Sequence, residues 1–294
     1  EKNYKFYYFL GFLILLLILI PGLSKTAGGA SRWINIGGFS FQPIEISKYL
    51  LLIFISKHLI IKKDKITIFR VGIVSPFIVS LPYVLLLLLQ PDFGNTVLLL
   101  STIFIMIIIA GAKLKHIIVS FILLFSSFFL LILAAPYRMK RLLTFLDPYE
   151  DPHGAGYQII QSFVSFANGK FFGVGLGNSS QKLFFLPQGH NDFIFSIIAE
   201  ELGFIGCMLT ILLFLILFYS ILKMLKRSKD LFCKYLIGSI LIITVTQVVI
   251  NISVSIGLMP TKGVPLPLIS YGGSSLVFTL GSLGLIYGLD KKRK

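Results

Sequence analysis

Only twelve of the 294 residues are acidic, and their positions limit the chemistry the chain could do. Glu1, Asp64, Asp230 and Asp290 stand among Lys- and Arg-rich connections. The other eight, Glu45, Asp92, Asp147, Glu150, Asp151, Asp192, Glu200 and Glu201, gather at the opposite ends of long apolar segments or in the loops beyond them. Ionisable groups at membrane depth are costly and mark functional sites by default. Asp192 is the sharpest of them. It follows Leu-Pro-Gln-Gly-His-Asn and precedes a long apolar helix, which sets it at a membrane–water boundary. Two readings are open and compatible. Asp is a preferred helix N-cap, and a half-buried carboxylate can serve as a general base, with burial raising its pKa and the helix N-terminus opposing that rise.

Glu200 and Glu201 follow on the same helix, roughly 12–14 Å deeper at 1.5 Å per residue. At ~100° per residue they lie about 80° and 180° from the Asp192 direction, so both cannot serve one cleft with it. Pairing with Lys or backbone to fix helix packing is the expectation for them. Glu45 and Lys48 stand at i,i+3, where opposite charges share a face. They read equally as a local ion pair anchoring a helix end or as the lining of a polar cavity.

Arg32, Lys48, Arg138, Lys140, Arg141, Lys182 and Lys262 are cations on the same side of the chain as Asp192. Such groups can hold phosphate oxygens, Arg often bidentately, although any one of them also suits snorkelling toward lipid headgroups. His190 is two residues from Asp192. A lone His-x-Asp does not make a metal site, so His190 is carried as a substrate-side group and the metal ligands as unknown. The run Gly173-Val-Gly-Leu-Gly follows no strand of a βαβ unit, which removes the dinucleotide reading. The small residues of Ser270-Tyr-Gly-Gly-Ser-Ser would let helix backbones approach closely.

The elements that must position these groups are apolar helices. Hydrophobic residues make up 56% of the chain and charged residues 13%, against roughly 25% charged in a soluble domain. Apolar runs bounded by Lys and Arg give eight spans: 5–23, 44–61, 70–90, 94–112, 116–135, 192–222, 232–256 and 268–289. Several reach the ~20 residues that cross the hydrocarbon core. The fold class read here is all-α, a polytopic transmembrane bundle forming one membrane domain over 1–294. The net charge of +15 resides in short clusters between spans, a pattern that suits an anionic membrane leaflet and argues against nucleic acid as partner. One set of loops carries 18 of the 27 Lys and Arg residues; the opposite set carries nine, five of them in the single long loop. By the positive-inside rule the richer set is cytoplasmic. Both ends of this chain are then inside, and the 136–191 loop faces outward.

That loop is too long to be a mere connection. Within it, QIIQSFVSFA carries apolar positions at helical spacing, as for an interfacial or re-entrant helix. Cys207 and Cys233 lie in or beside apolar segments and imply neither a disulfide framework nor a metal site. No A-x-A-like site follows the first apolar segment, which argues against a cleaved signal. No internal repeat supports an inverted-repeat transporter.

Five blocks in order resemble the SEDS family of cell-division and elongation proteins, the FtsW/RodA type. They are RWINIGGFSFQPIEISK (32–48), QPDFGNT (90–96), RLLTFLDPYEDPHGAGYQIIQS (141–162), GVGLGNSSQKLFFLPQGHNDFIFSIIAEELG (173–203) and GLMPTKGVPLPLISYGGSSL (257–276). GLGNSSQKL and PTKGVPLP look more like the division branch, FtsW, than the elongation branch, RodA. The chain departs from the family pattern at Ile44, Gln188 and Asn191, none of which removes a group assigned to chemistry. The family has two helices ahead of the segment counted first here, and they have no counterpart in this chain.

The resemblance implies a peptidoglycan glycosyltransferase of the bacterial cytoplasmic membrane that polymerises lipid II, the undecaprenyl-diphosphate-linked disaccharide-peptide, into glycan strands. It implies Asp192 as catalytic base and carries the family's Glu and Lys onto Glu45 and Lys48. It further implies a class B penicillin-binding protein as partner. The diphosphate charge would be held by Arg32, Arg138, Arg141, Lys182 and Lys262, or by a divalent cation such as Mg or Mn. Two rival classes share these residues: a flippase for the lipid-linked precursor, and a non-catalytic scaffold that activates the penicillin-binding protein.

Overall fold

A computed structural model describes residues 2–20, 23–27, 30–36, 39–134, 136–154, 156–187, 189–261 and 263–291. A helix stands at each of the eight expected spans. They are α1 (Tyr4–Leu16, continued by a tighter turn to Leu19), α2 (Pro43–Ile61), α3 (Ser75–Leu89, entered through a wide turn at Arg70–Val74), α4 (Phe93–Ile109) and α5 (Leu114–Leu133). The long connection between α5 and the next span adds α6 (Pro136–Leu146) and α7 (Tyr157–Gly169), and the remaining spans are α8 (Ile194–Arg227), α9 (Leu231–Ser255) and α10 (Gly273–Lys291). The helix read from QIIQSFVSFA is α7. Four helices, counting Arg70–Leu89 as one, are long and apolar enough to cross a membrane, and α1 and α4 are shorter apolar helices. Their apolar residues remain exposed on the outside, as Leu85, Phe121, Phe125, Leu213 and Val277 illustrate. That is the arrangement of an integral membrane protein, whose solvent is lipid.

The bundle is not wholly helical. Residues between α1 and α2, read from the sequence as a plain loop, form a small antiparallel meander of β1 (Ser24–Ala27), β2 (Ala30–Ile36) and β3 (Phe39–Phe41). Ala27 pairs with Ala30 across the first turn and Ile36 with Phe39 across the second. The residues between these paired ends are Gly-Gly in the sequence at both places, a composition common in short hairpin connections.

The chain divides into two compact units: 1–120 with 220–246 and 273–294, and 121–219 with 247–272. In the first, Leu15, Leu51, Leu52, Ile55, Leu87, Leu98 and Ile103 are fully buried. Polar groups stitch its helices where no water can serve them. Tyr83 donates its hydroxyl to Tyr8 O at 2.5 Å, Tyr8 to Val79 O at 2.9 Å, and Ser47 to Gly11 O at 2.8 Å. Gly11 lets α1 approach closely, since a Cβ there would stand 2.7 Å from the Tyr83 hydroxyl and 3.0 Å from Leu50 Cβ.

The second unit packs α7 against α8 and α9 around Phe195, Ala199, Cys207, Phe214, Val248 and Leu266. Ser162 of α7 donates to Ser255 O at 2.6 Å and shares a hydrogen bond with Ser196. Helix α8 breaks at Gly203 (φ 66°, ψ −162°), a conformation essentially reserved for glycine. There the extended run after α7 joins the opened backbone. Val174 and Gly175 donate to Glu200 O and Glu201 O, while Phe204 and Ile205 donate to Lys170 O and Phe171 O. A Cβ on Gly203 would sit 2.6 Å from the Phe171 carbonyl. Gly203→Ala is therefore expected to destabilise the protein by about 1–3 kcal/mol from backbone strain alone, with more from the clash. Gly281→Ala, where nothing lies within 4 Å, should be neutral or slightly stabilising. Thermal unfolding in detergent checks both; equal midpoints for the two variants would contradict the packing described.

Candidate functional site

In the second unit the site is the segment 189–193 and what holds it. Helix α8 starts later than the sequence suggests. Phe193 O accepts the first helical bonds, from Ser196 N at 3.0 Å and Ile197 N at 3.3 Å, so Phe193 occupies the N-cap position and Asp192 lies one residue outside. Angles counted along the helix from Asp192 to Glu200 and Glu201 therefore do not apply. Asp192 is half-buried, and His190 is exposed.

Three successive main-chain carbonyls of this segment are each held from the 251–271 stretch. His190 O accepts from Tyr271 N at 2.9 Å. Asn191 O accepts from the Ser270 hydroxyl at 2.6 Å, and Asp192 O from Asn251 Nδ2 at 2.9 Å. The loop backbone at Gly263 closes against the carboxylate, where a Cβ would stand 3.3 Å from Asp192 Oδ2. Arg141 on α6 reaches Thr261 O at 3.5 Å, two residues before Gly263. Lys140 pairs with Asp151 at 3.1 Å in the open. Arg138 lies in α6 with its side chain outside the described set, and Lys262 and Gln188 lie outside the described residues.

Glu200 is buried in α8 and fully engaged. It accepts from the hydroxyls of Ser179 and Ser180, from Gln181 N at 3.3 Å and from Asn168 Nδ2 at 3.3 Å. Glu201 lies 3.7 Å from Lys182 Nζ. The two carboxylates thus turn toward the same connection, residues 168–182, rather than to opposite sides of a helix, because the break at Gly203 brings that connection alongside. Lys182, read from the sequence as a phosphate ligand, stands as the counter-ion of Glu201.

The first unit holds a second polar cluster. Glu45 and Lys48 form a 2.8 Å ion pair, each 1% exposed. Lys48 lies over the Tyr49 ring, and Asp92 is near enough to act on it electrostatically. Asp92 is buried and caps α4, accepting from Asn95 N at 3.2 Å and Asn95 Nδ2 at 2.8 Å. Arg32 on β2 donates through Nη2 to Pro91 O, next to Asp92. Arg32 Nε and Glu45 Oε1 are buried without a hydrogen-bond partner, so this cluster has spare donor and acceptor capacity. The sheet supplies Arg32, the start of α2 supplies Glu45 and Lys48, and the start of α4 supplies Asp92.

Among the described residues no three His, Cys, Asp or Glu side chains converge as a metal site. Sequence reasoning missed Asn251, Ser270, Asn168, Ser179 and Ser180. An Asn inside the apolar run LIITVTQVVINISVS was the available signal for the first.

Fold and site define a polytopic helical membrane protein with one carboxylate-bearing segment clamped outside its helix. The sequence pattern of the FtsW/RodA/SpoVE family, described as cell cycle proteins, matches residues 1–294, and the chain belongs to that family. It is 39% identical over 284 residues to a probable peptidoglycan glycosyltransferase FtsW of Pseudomonas fluorescens, covering 95% of this chain and 69% of that protein. Stage V sporulation protein E of Bacillus subtilis is 40% identical over 280 residues, covering 95% and 76%. A solved chain of a peptidoglycan synthase complex, one that coordinates polymerization and crosslinking, superposes with a TM-score of 0.81 at 34% identity, covering 99% and 82%.

Removing the Glu200 carboxylate leaves the Ser179 hydroxyl proton buried without an acceptor, while its oxygen still accepts from Lys182 N at 2.9 Å. Glu200→Ala is expected to cost about 2–5 kcal/mol, with Glu200→Gln milder. Limited proteolysis should show faster cleavage within 176–186; unchanged cleavage and an unchanged unfolding midpoint would contradict the clamp.

Proposed function

We propose that the chain is a peptidoglycan glycosyltransferase of the division type, which polymerises lipid II at the outer face of the bacterial cytoplasmic membrane. The observation that carries this reading is the Asp192 segment. A half-buried carboxylate stands beyond the end of a membrane helix, its main chain fixed by three hydrogen bonds and Gly263 against it. The names of the related glycosyltransferases support the reaction class.

In the proposed step Asp192 takes the proton of the acceptor GlcNAc 4-hydroxyl, whose oxygen attacks the anomeric carbon of the donor MurNAc. The bond from that carbon to the diphosphate oxygen breaks, and undecaprenyl diphosphate leaves. Arg141, exposed and reaching the loop that bears Gly263, is suited to the leaving charge, and Arg138 and Lys262 are further candidates. Glu45, Lys48 and Arg32 are proposed to bind lipid II through the spare polar groups of their cluster. A crosslinking partner, a class B penicillin-binding protein, fits the synthase complex that one structural relative belongs to.

A positioned base contributes typically ~10²–10⁴-fold. Asp192→Asn is expected to lower strand synthesis from purified lipid II by at least about a hundredfold, with an unchanged unfolding midpoint. Synthesis at the wild-type rate would sink the assignment.

The reading also needs both ends of the chain inside and residues 136–191 outside, in keeping with the distribution of Lys and Arg. With Cys207 and Cys233 replaced, a membrane-impermeant maleimide should label Asn178→Cys in intact cells, and Lys115→Cys only after permeabilisation. The reverse pattern would overturn the orientation.

A further inference from the structure

Asp192 lies in the turn that leads into α8, outside the helix itself, and a general base has to stand within about an ångström of its working position. The groups that supply this constraint are two polar side chains the reaction does not otherwise use. Asn251, in the apolar helix α9, is 1% exposed. Its Nδ2 donates to Asp192 O and to Val264 O, both at 2.9 Å. Its Oδ1 is buried without a partner. An amide that leaves its own oxygen unsatisfied costs stability, so what it contributes is the bridge its nitrogen makes. Ser270 bridges in the same sense. Its hydroxyl donates to Asn191 O at 2.6 Å and accepts from Leu266 N at 2.7 Å. Each side chain thus ties the Asp192 segment to the 263–271 loop, and the loop backbone at Gly263 abuts the carboxylate itself.

We propose that Asn251 and Ser270 are positioning residues for glycosyl transfer, setting where the Asp192 carboxylate stands by fixing its main chain against the 263–271 loop. The proposal rests on the reading of Asp192 as the base. It implies that loosening either bridge lowers turnover while substrate binding persists, because no contact with lipid II is removed. A displacement of about 1 Å can cost ~10²-fold in rate.

The test is steady-state polymerisation of fluorescent lipid II by the purified protein with its penicillin-binding partner, for wild type, Ser270→Ala, Ser270→Thr, Asn251→Ala and Asp192→Asn. Ser270→Ala and Asn251→Ala are expected to lower kcat by about 10- to 100-fold, with KM for lipid II within about twofold. Ser270→Thr keeps the hydroxyl and should recover to within about threefold of wild type. Unchanged kcat in both alanine variants would overturn the proposal. So would a raised KM at constant kcat, or a threonine variant no better than alanine. If Asn251→Ala does not fold, the Ser270 pair, which differs from wild type by one oxygen or one methyl, decides alone. Polymerisation by Asp192→Asn would remove the base assignment itself. An inactive Asp192→Asn beside fully active Ser270→Ala and Asn251→Ala would remove only the positioning role.

Discussion

A main chain that leaves its helix loses the ladder that pairs its carbonyls, so other donors must take that place. Residues 190–192 meet this demand with three donors from one stretch of sequence: Asn251, Ser270 and Tyr271 N. Much else in the second unit follows. The donors must come close, which calls for an Asn in an apolar helix and a Ser in a glycine-rich turn. The loop between them must lie flat against the carboxylate, which suits Gly263. A requirement for hydrogen-bond partners thereby becomes a device for holding the Asp192 carboxylate in place.

The same economy of charge holds elsewhere. Glu200 is buried and held by two hydroxyls, an amide side chain and a main-chain amide. These bonds fasten the 168–182 connection to α8, and the opened backbone at Gly203 completes the seam. In the first unit Glu45 and Lys48 form a buried pair, Asp92 caps α4, and Arg32 spends one nitrogen on Pro91 O. Breaking such a buried pair at one partner is strongly destabilising. Glu45 Oε1 and Arg32 Nε are buried there without a hydrogen-bond partner.

Periodicity and apolar run length were enough to locate every long helix, since lipid admits few alternatives. They could not find the sheet of residues 24–41, whose strands are three to seven residues long and show little alternation. The Gly-Gly pairs were its legible mark. Asp192 stood out because carboxylates are rare in this chain, but its place outside α8 did not, because local spacing cannot say which carbonyl closes the first turn. Lys182 read as a free cation until the Gly203 break brought Glu201 alongside it. Asn251 and Ser270 carry no charge, and their importance lies in distant partners: an Asn in an apolar run marks a position, but what it holds shows only once the chain is folded.

Synthesis of glycan strands, as opposed to movement or scaffolding of their precursor, is checked by giving purified lipid II to the purified protein, with and without a class B penicillin-binding protein, and resolving the products by length. The expectation is polymer that a muramidase digests, formed by this chain when the partner's transpeptidase is blocked. Labelled lipid II crossing proteoliposomes with no polymer formed, in the partner's presence, would contradict it.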